Sequence, residues 1–397
     1  MIVLRTFLSC VLLLAAWANT WNFALAQASA PRDIKAMFNI TFDASLPGNC
    51  AGRENDLSQI VKDAYILSEA GVQAVSDSTD KGSKTHSEAD RLVGALFQKP
   101  SEEERGTITR RFKLVRNFFE KKGPILHGAS DKKPYLFCSD SWRIREDMSS
   151  QMRDVKGNLM KDEEGSPYLI KDDKKMKSRQ KATMKELGAA KLKHVYPYWC
   201  PNLKAYIFDK KYSNDPTQGP CSVAEGIRGY TVFESSAGIG AIVLCDTGFN
   251  GGSLRSADLK PFEDSIFAKG NKPPAEKTAI KTVSPAATTL YHELFHLLWA
   301  TSMDPKNGEE YQFKRIVGKE ERVVTKGTDK VQEKFTKEQA IKNPHSYVFT
   351  RHGFRPFLII AYDYTQNEKY TGKDPNGSGN DKTYPIEFYT GWATYNA

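Results

Sequence analysis

The sequence predicts an α+β protein, and three observations lead to this prediction. Apolar side chains recur at helical spacing through the first third of the chain, most clearly near residues 54–75. Two later segments, "KAYIFDKKY" and "GYTVFESSAGIGAIVLC", alternate or run apolar in the manner of strands. A strongly apolar helix, "SPAATTLYHELFHLLWATS", follows them.

Residues 1–26 are typical of a secretory signal peptide. Arg5 precedes the apolar run "FLSCVLLLAAW", and "ALA" at residues 24–26 supplies the small side chains that precede cleavage. The run is too short to cross a bilayer, and no later segment has about 18 consecutive apolar residues. We therefore expect a secreted, extracellular protein that has no membrane contact after the signal is removed.

Secretion determines how the cysteines are interpreted. Cys10 leaves with the signal, and the remaining five contain no CxxC pair, so a thiolate zinc site is not expected. An oxidising compartment favours two disulfides with one thiol left over, although the sequence does not assign the pairing. The five residues are Cys50, Cys138, Cys200, Cys221 and Cys245.

Residues 27–147 form the predicted helical N-terminal part. After the segment near residues 54–75, "SEADRLVGALFQ" and "SEEERGTITRRFKLVRNFF" repeat the helical spacing. Ser87 and Ser101 are the predicted caps of these two helices. "KPYLFCSDSW" then predicts a short strand that ends at Cys138.

Residues 148–194 are predicted to be a Lys-rich surface insertion. The stretch Lys171–Lys193 carries nine basic residues against three acidic ones and accounts for much of the net charge of +9. A nucleic-acid site usually mixes aromatic residues into such a stretch, and this one has none, so no nucleic-acid partner is expected. Contact with an acidic surface such as a cell wall is the alternative.

The predicted catalytic part spans residues 195–365 and contains the apolar helix. We expect "DTGFNGGS" to form a loop, Ser284 to cap the helix and Pro285 to occupy its first position. "NPHSYVFTRHGF" predicts a second helix with Asn343 as its cap and Pro344 next. Residues 366–397 are expected to be a tail without regular structure, and no internal repeat is apparent.

The motif "HELFH" in the apolar helix suggests a zinc site. His292 and His296 are four residues apart, so both imidazoles project from one helix face and can bind one Zn²⁺. Glu293 can reach a water there and act as general base. The alternative is a buried helix that carries two incidental histidines.

A catalytic zinc also needs a third protein ligand. The longer HExxHxxGxxH pattern fails, because Trp299 and Ser302 stand where its Gly and third His should be. "SMDPKNGEEYQF" offers nearby carboxylates in Asp304, Glu309 and Glu310.

These segments together resemble the aspzincin metallopeptidases, the deuterolysin and lysine-specific endopeptidase group of secreted fungal proteins. "IVLCDTGF" resembles the family's strand before the zinc helix, "ATTLYHELFHLL" its zinc helix, and "AIKNPHSYVF" its downstream Asn-x-x-Ser-Tyr segment. The resemblance covers most of the chain after the signal and is specific from about Gly229 to Phe349. It implies a zincin-like fold with a helical N-terminal part, a small mixed sheet and an HExxH active-site helix.

The resemblance also implies the roles of individual residues. His292 and His296 would bind zinc, and Glu293 would be the base. In the family, an Asp within GTxDxxYG is the third ligand and its Tyr stabilises the oxyanion. Asp304 is the predicted third ligand here, with Glu309 and Glu310 as alternatives, although no "GT" precedes it. Tyr311 is the predicted oxyanion residue, although it follows Asp304 by seven residues rather than three.

The sequence therefore predicts a monomeric zinc endopeptidase that acts on protein or peptide substrates. We expect an edge strand to hold the extended substrate by main-chain hydrogen bonds, with "SSAGIGAIVLC" as the candidate. The first alternative is an inactive relative that captures zinc or binds a wall or host surface. A second alternative assigns the function to the basic stretch, as a wall- or nucleic-acid-binding protein.

Overall fold

The computed structural model describes residues 31–83, 86–121, 132–186, 194–223, 227–234, 239–249, 286–299, 309–310, 313–316, 318, 321–326, 329–352, 386–389 and 392–395. It is a mixture of helices and small sheets, which confirms the α+β prediction at this level. The described residues from Arg32 onward belong to one compact unit. Among the described residues, no helix combines the length and apolar character needed to cross a membrane.

The described residues of the N-terminal part contain four helices, of which the apolar spacing predicts the last three. They are α1 (Ile34–Met37), α2 (Glu54–Asp77), α3 (His86–Leu96) and α4 (Glu102–Glu120). Ser101 caps α4 as predicted: its hydroxyl accepts from the N–H of Glu104, and the Glu104 carboxylate accepts from the N–H of Ser101. The prediction for Ser87 is wrong, because α3 begins one residue earlier, where the N–H of His86 donates to the carbonyl of Ser83.

A small mixed sheet follows these helices, with strand order β1-β6-β5. Strand β1 (Tyr135–Phe137) runs parallel to β6 (Ile239–Leu244), and β5 (Gly229–Glu234) runs antiparallel to β6 on its other side. The expectation that the β6 segment is an edge strand is therefore wrong. Both of its edges are paired, and β5 lies at the edge in the part of the chain that the structure describes.

A second sheet contains the strands β2 (Ile144–Arg145), β3 (Val195–Cys200) and β4 (Ala205–Lys210), all antiparallel. Helix α5 (Lys174–Glu186), from the Lys-rich segment, packs on this sheet. Its residue Met176 lies in an apolar cluster with Ile170, Trp199 and Tyr206. Part of the segment predicted as a surface insertion thus buries apolar side chains.

Two similar turns precede α5. Asp154 and Asp162 each accept, through Oδ1, from the backbone N–H groups two and four residues later. Gly157 and Gly165 complete the turns at positive φ, where glycine is favoured. The equivalent positions are eight residues apart, so this stretch is a short local repeat, contrary to the expectation of no internal repeat.

The apolar helix α8 spans Ala287–Leu298. In the segment "DTGFNGGS", which was expected to be a loop, residues Asp246–Phe249 form a helical turn, α7. The predicted cap residues Ser284 and Pro285 lie outside the described residues. Asn343 directly precedes the C-terminal helix that begins at Pro344, as predicted. The elements not yet given are α6 (Pro220–Val223), α7 (Asp246–Phe249), α9 (Phe313–Ile316), β7 (Glu321–Lys326), β8 (Asp329–Lys334), α10 (Lys337–Lys342), α11 (Pro344–His352), β9 (Ile386–Tyr389) and β10 (Trp392–Tyr395).

Two disulfides join distant parts of the chain. Cys50 pairs with Cys138 next to β1, and Cys221 pairs with Cys245 at the end of β6. Cys200 is buried in β3 and belongs to neither. Two disulfides with one cysteine left over agree with the number expected from the sequence.

Candidate metal centre

Helix α8 is buried on both sides. It packs against β5 and β6 on one side and against α2, α4 and α11 on the other. Two strand glycines permit the close approach: a Cβ at Gly229 would lie 2.8 Å from Thr289 Cγ2, and one at Gly240 would lie 2.3 Å from Leu297 Cδ1. The helix therefore holds its polar residues at a fixed distance from the sheet.

His292 and His296 of α8 meet a carboxylate from the chain beyond the helix. Their Nε2 atoms are 3.1 Å apart. Oε1 of Glu309 lies 3.1 Å from Nε2 of His292, and Oε2 lies 3.4 Å from Nε2 of His296. These three residues form a group that could hold a metal ion, since one ligand atom from each lies within 4.8 Å of the others.

Asn343 holds the segment that carries Glu309. Its amide Nδ2 donates to the carbonyl of Glu310 over 3.0 Å, and the N–H of Glu310 donates to Asn343 Oδ1 over 3.4 Å. Asn343 is itself buried. A side chain at the start of α11 thus fixes the backbone next to the candidate ligand.

A third histidine also lies at this site. Nδ1 of His345 is 3.4 Å from Oε1 of Glu309, and its ring centroid is 4.6 Å from that of His292. His345 lies in the segment "AIKNPHSYVF" and is not among the site residues predicted from the sequence. His345 is far from "HELFH" along the chain, and no local pattern in the sequence predicts that the folded chain places it beside His292.

The charges of this cluster depend on one another. Burial by itself lowers the pKa of His292, but the adjacent Glu309 carboxylate outweighs burial and raises it to about 9. Burial raises the pKa of Glu309, yet His292 together with hydrogen bonds from the other two histidines brings it well below its usual range. Burial lowers the pKa of His345 to about 4. Without a metal, the site therefore holds an imidazolium–carboxylate pair beside a neutral imidazole.

Glu293 lies next to the first histidine and faces β5. Its side chain is buried, and its Oε2 accepts from Thr231 Oγ1 over 2.8 Å. The same hydroxyl oxygen is 3.0 Å from the backbone oxygen of Glu293. A carboxylate in this position can accept a proton from a water held at the three-ligand group.

The structure brings some of the predicted site residues together and leaves others apart or undescribed. His292, Glu293 and His296 lie together on one helix, and Glu309, the alternative third ligand, joins them. Asp304 and Tyr311, the predicted third ligand and oxyanion residue, lie outside the described residues. Glu310 is buried but faces Arg315, with an Oε2–Nη1 distance of 3.8 Å.

Comparison of the chain with protein-family models, with curated proteins and with solved structures found no match.

Proposed function

We propose that the protein is a secreted zinc endopeptidase of the kind that the aspzincin resemblance implies. The observation that supports this is the meeting of His292, His296 and Glu309 beside a buried carboxylate, Glu293. Three protein ligands with a carboxylate at hand are typical of a catalytic site rather than of a structural one.

The donor distances favour zinc as the metal. Tetrahedral Zn²⁺ with bonds of about 2.0–2.1 Å separates neighbouring ligand atoms by roughly 3.4 Å. Nε2 of His292 is 3.1 Å from Nε2 of His296, and the two nitrogens lie 3.1 and 3.4 Å from different oxygens of the Glu309 carboxylate. Two imidazoles and one carboxylate are also a ligand set that catalytic zinc sites use. The residues present therefore fit this ion.

When bound, zinc would polarise a water and the carbonyl group of the scissile bond. Glu293 would take the proton from the attacking water and pass it to the leaving amine. The side chains of His292 and Glu309, only 8% and 5% exposed, would exclude bulk solvent from one side of the site. His292 must lose its proton to act as a ligand, since only the neutral imidazole binds a metal.

Strand β5 is the candidate for binding an extended substrate. It lies at the edge of the described mixed sheet and packs against α8 next to Glu293. A peptide added to this edge would be held by main-chain hydrogen bonds. The proposed partner is therefore a protein or peptide substrate, and β5 replaces the β6 segment in that role.

Zinc content and peptide hydrolysis, measured together, test this proposal. We expect the purified protein to bind one zinc ion per chain and to cleave casein, and Glu293→Gln to keep the zinc while losing nearly all cleavage. Zinc without cleavage in the wild-type protein would exclude the peptidase function. Absence of zinc at neutral pH would exclude any zinc-dependent function.

Zinc capture without catalysis is the second candidate, and His345 is the observation that favours it. A fourth protein ligand closes a zinc site and leaves no position for water. His345 is 3.4 Å from a Glu309 oxygen and so lies near enough to compete for that position. If the capture function holds, His345→Ala should weaken zinc binding strongly; if the peptidase function holds, zinc should remain bound.

A further inference from the structure

Two residues of β5 lie against the general base of the proposed peptidase. Gly229 and Thr231 are two positions apart, so they share one face of the strand. A Cβ at Gly229 would lie 3.4 Å from Glu293 Cγ, and the Thr231 hydroxyl is 2.8 Å from Glu293 Oε2. Strand β5 thus approaches helix α8 closely at Gly229, and at Thr231 its side chain forms a hydrogen bond with the Glu293 carboxylate.

The Thr231 hydroxyl is suited to fixing a carboxylate. It has one proton to donate, and Oε2 of Glu293 is the nearer acceptor, at 2.8 Å against 3.0 Å for the backbone oxygen. Threonine is stiff at χ1 because it is branched at Cβ, so the strand determines where the hydroxyl lies. Among the described residues, Oε1 of Glu293 has no hydrogen-bond partner. One oxygen of the base is therefore held by the strand.

We infer that Thr231 is a positioning residue for Glu293. By holding Oε2, it keeps Oε1 directed at the attacking water, and it makes no contact with the reacting atoms itself. This inference rests on the proposed peptidase function, because it assigns a role within that site.

Thr231→Val is the primary test, because valine keeps the branched shape and removes only the hydroxyl. We expect bound zinc to stay at one ion per chain and KM for a fluorogenic peptide to change by no more than about twofold. Displacement of a catalytic group by about 1 Å can cost roughly 100-fold in rate, so kcat should fall about 10- to 100-fold. Thr231→Ser, which restores the hydroxyl, should recover most of this loss. Thr109→Val is the matched control, since that hydroxyl donates to a helix carbonyl, Arg105 O.

A second measurement does not depend on peptide cleavage. A hydroxamate binds zinc through two oxygens and can donate its proton to a neighbouring carboxylate, so its affinity reports the position of Glu293. In calorimetry with acetohydroxamate, Thr231→Val should weaken binding about 10-fold, consistent with the loss of a hydrogen bond to a charged group. In a Glu293→Gln background the same substitution should have almost no effect, since the residue through which Thr231 acts is already changed.

The outcomes separate the two proposals. Unchanged kcat and hydroxamate affinity in Thr231→Val would overturn the positioning role. An equal loss in the Glu293→Gln background, or a loss that follows the loss of zinc, would also overturn it, because both indicate a general structural effect. If the wild-type protein binds zinc but cleaves no peptide, the peptidase proposal fails, while the hydroxamate cycle still decides whether Thr231 positions Glu293.

Discussion

At the scale of single residues, Glu309 is tightly constrained by the histidines around it. Its side chain is 5% exposed and contacts His292, His296 and His345. A carboxylate in such surroundings is stable only if positive charge compensates it. In the metal-free site the proton on His292 supplies that charge, and a bound cation would replace it.

Glu309→Ala should remove most of the metal affinity. Loss of a residue that only orients a ligand already costs about 10–100-fold in affinity, so loss of a ligand should cost more than about 100-fold. Glu310→Ala is the matched control, because the neighbouring buried acid faces Arg315 instead. Zinc competition with a fluorescent chelator measures both. Equal affinity in wild type and Glu309→Ala, with a loss in Asp304→Ala, would transfer the third-ligand role to Asp304.

The stability of the metal-free protein should fall as pH rises from about 6.5 to about 9. The folded-state pKa of His292, about 9, lies above its unfolded value of about 6.5. The stabilisation is therefore complete below pH 6.5 and is lost as pH passes through 9. Thermal unfolding of chelator-treated protein across this range measures the effect. Glu309→Gln removes the partner charge and should flatten the dependence; an equally steep fall in that variant would contradict the assignment.

At the scale of elements, the sequence predicts the helices better than it predicts which strands pair with each other. The spacing of apolar residues and the Ser101 capping box are set within one or two turns, and α2 and α4 follow them closely. The order β1-β6-β5 depends on contacts between residues 135–137 and 241–243, which no local pattern encodes. For that reason the sequence favours the β6 segment as the substrate-binding edge strand, whereas the structure places β5 at the edge.

Helices α2 and α4 pack closely at Gly71, where only a residue without a side chain fits against Phe112. A Cβ at Gly71 would lie 2.3 Å from two atoms of the buried Phe112 ring, so Gly71→Ala should force the helices apart. We expect a loss of about 1–3 kcal/mol in the free energy of unfolding. Gly106→Ala in α4 is the control, because a Cβ there meets nothing within 4 Å. It should stabilise the protein by about 0.5–1 kcal/mol through helix propensity. Urea unfolding of both variants measures the difference, and a stabilised Gly71→Ala would contradict this packing.

At the scale of the whole molecule, the site combines one local motif with two distant segments. His292, Glu293 and His296 are predictable because i, i+4 spacing on a helix is a local property. Glu309 follows His296 by 13 residues and His345 follows it by 49. The Asn343 side-chain amide links the two segments, because it forms hydrogen bonds with both the N–H and the carbonyl group of Glu310. Asp304, Glu309 and Glu310 lie close together in "SMDPKNGEEYQF", so the sequence limits the candidates for a third ligand to these carboxylates and does not choose among them.

The two disulfides should stabilise the whole molecule to different extents. Cys50–Cys138 spans 88 residues and Cys221–Cys245 spans 24. If a crosslink acts by restricting the unfolded chain, the longer loop gives the larger effect, about 4–5 kcal/mol against about 3–4 kcal/mol. Paired Cys→Ala variants, measured by urea unfolding, should therefore rank in that order. Cys200→Ala removes a buried side chain that belongs to neither bridge, so it should lower the free energy of unfolding by only about 1 kcal/mol. The reverse ranking of the two bridges would show that native-state packing around them, rather than chain entropy, dominates their contribution.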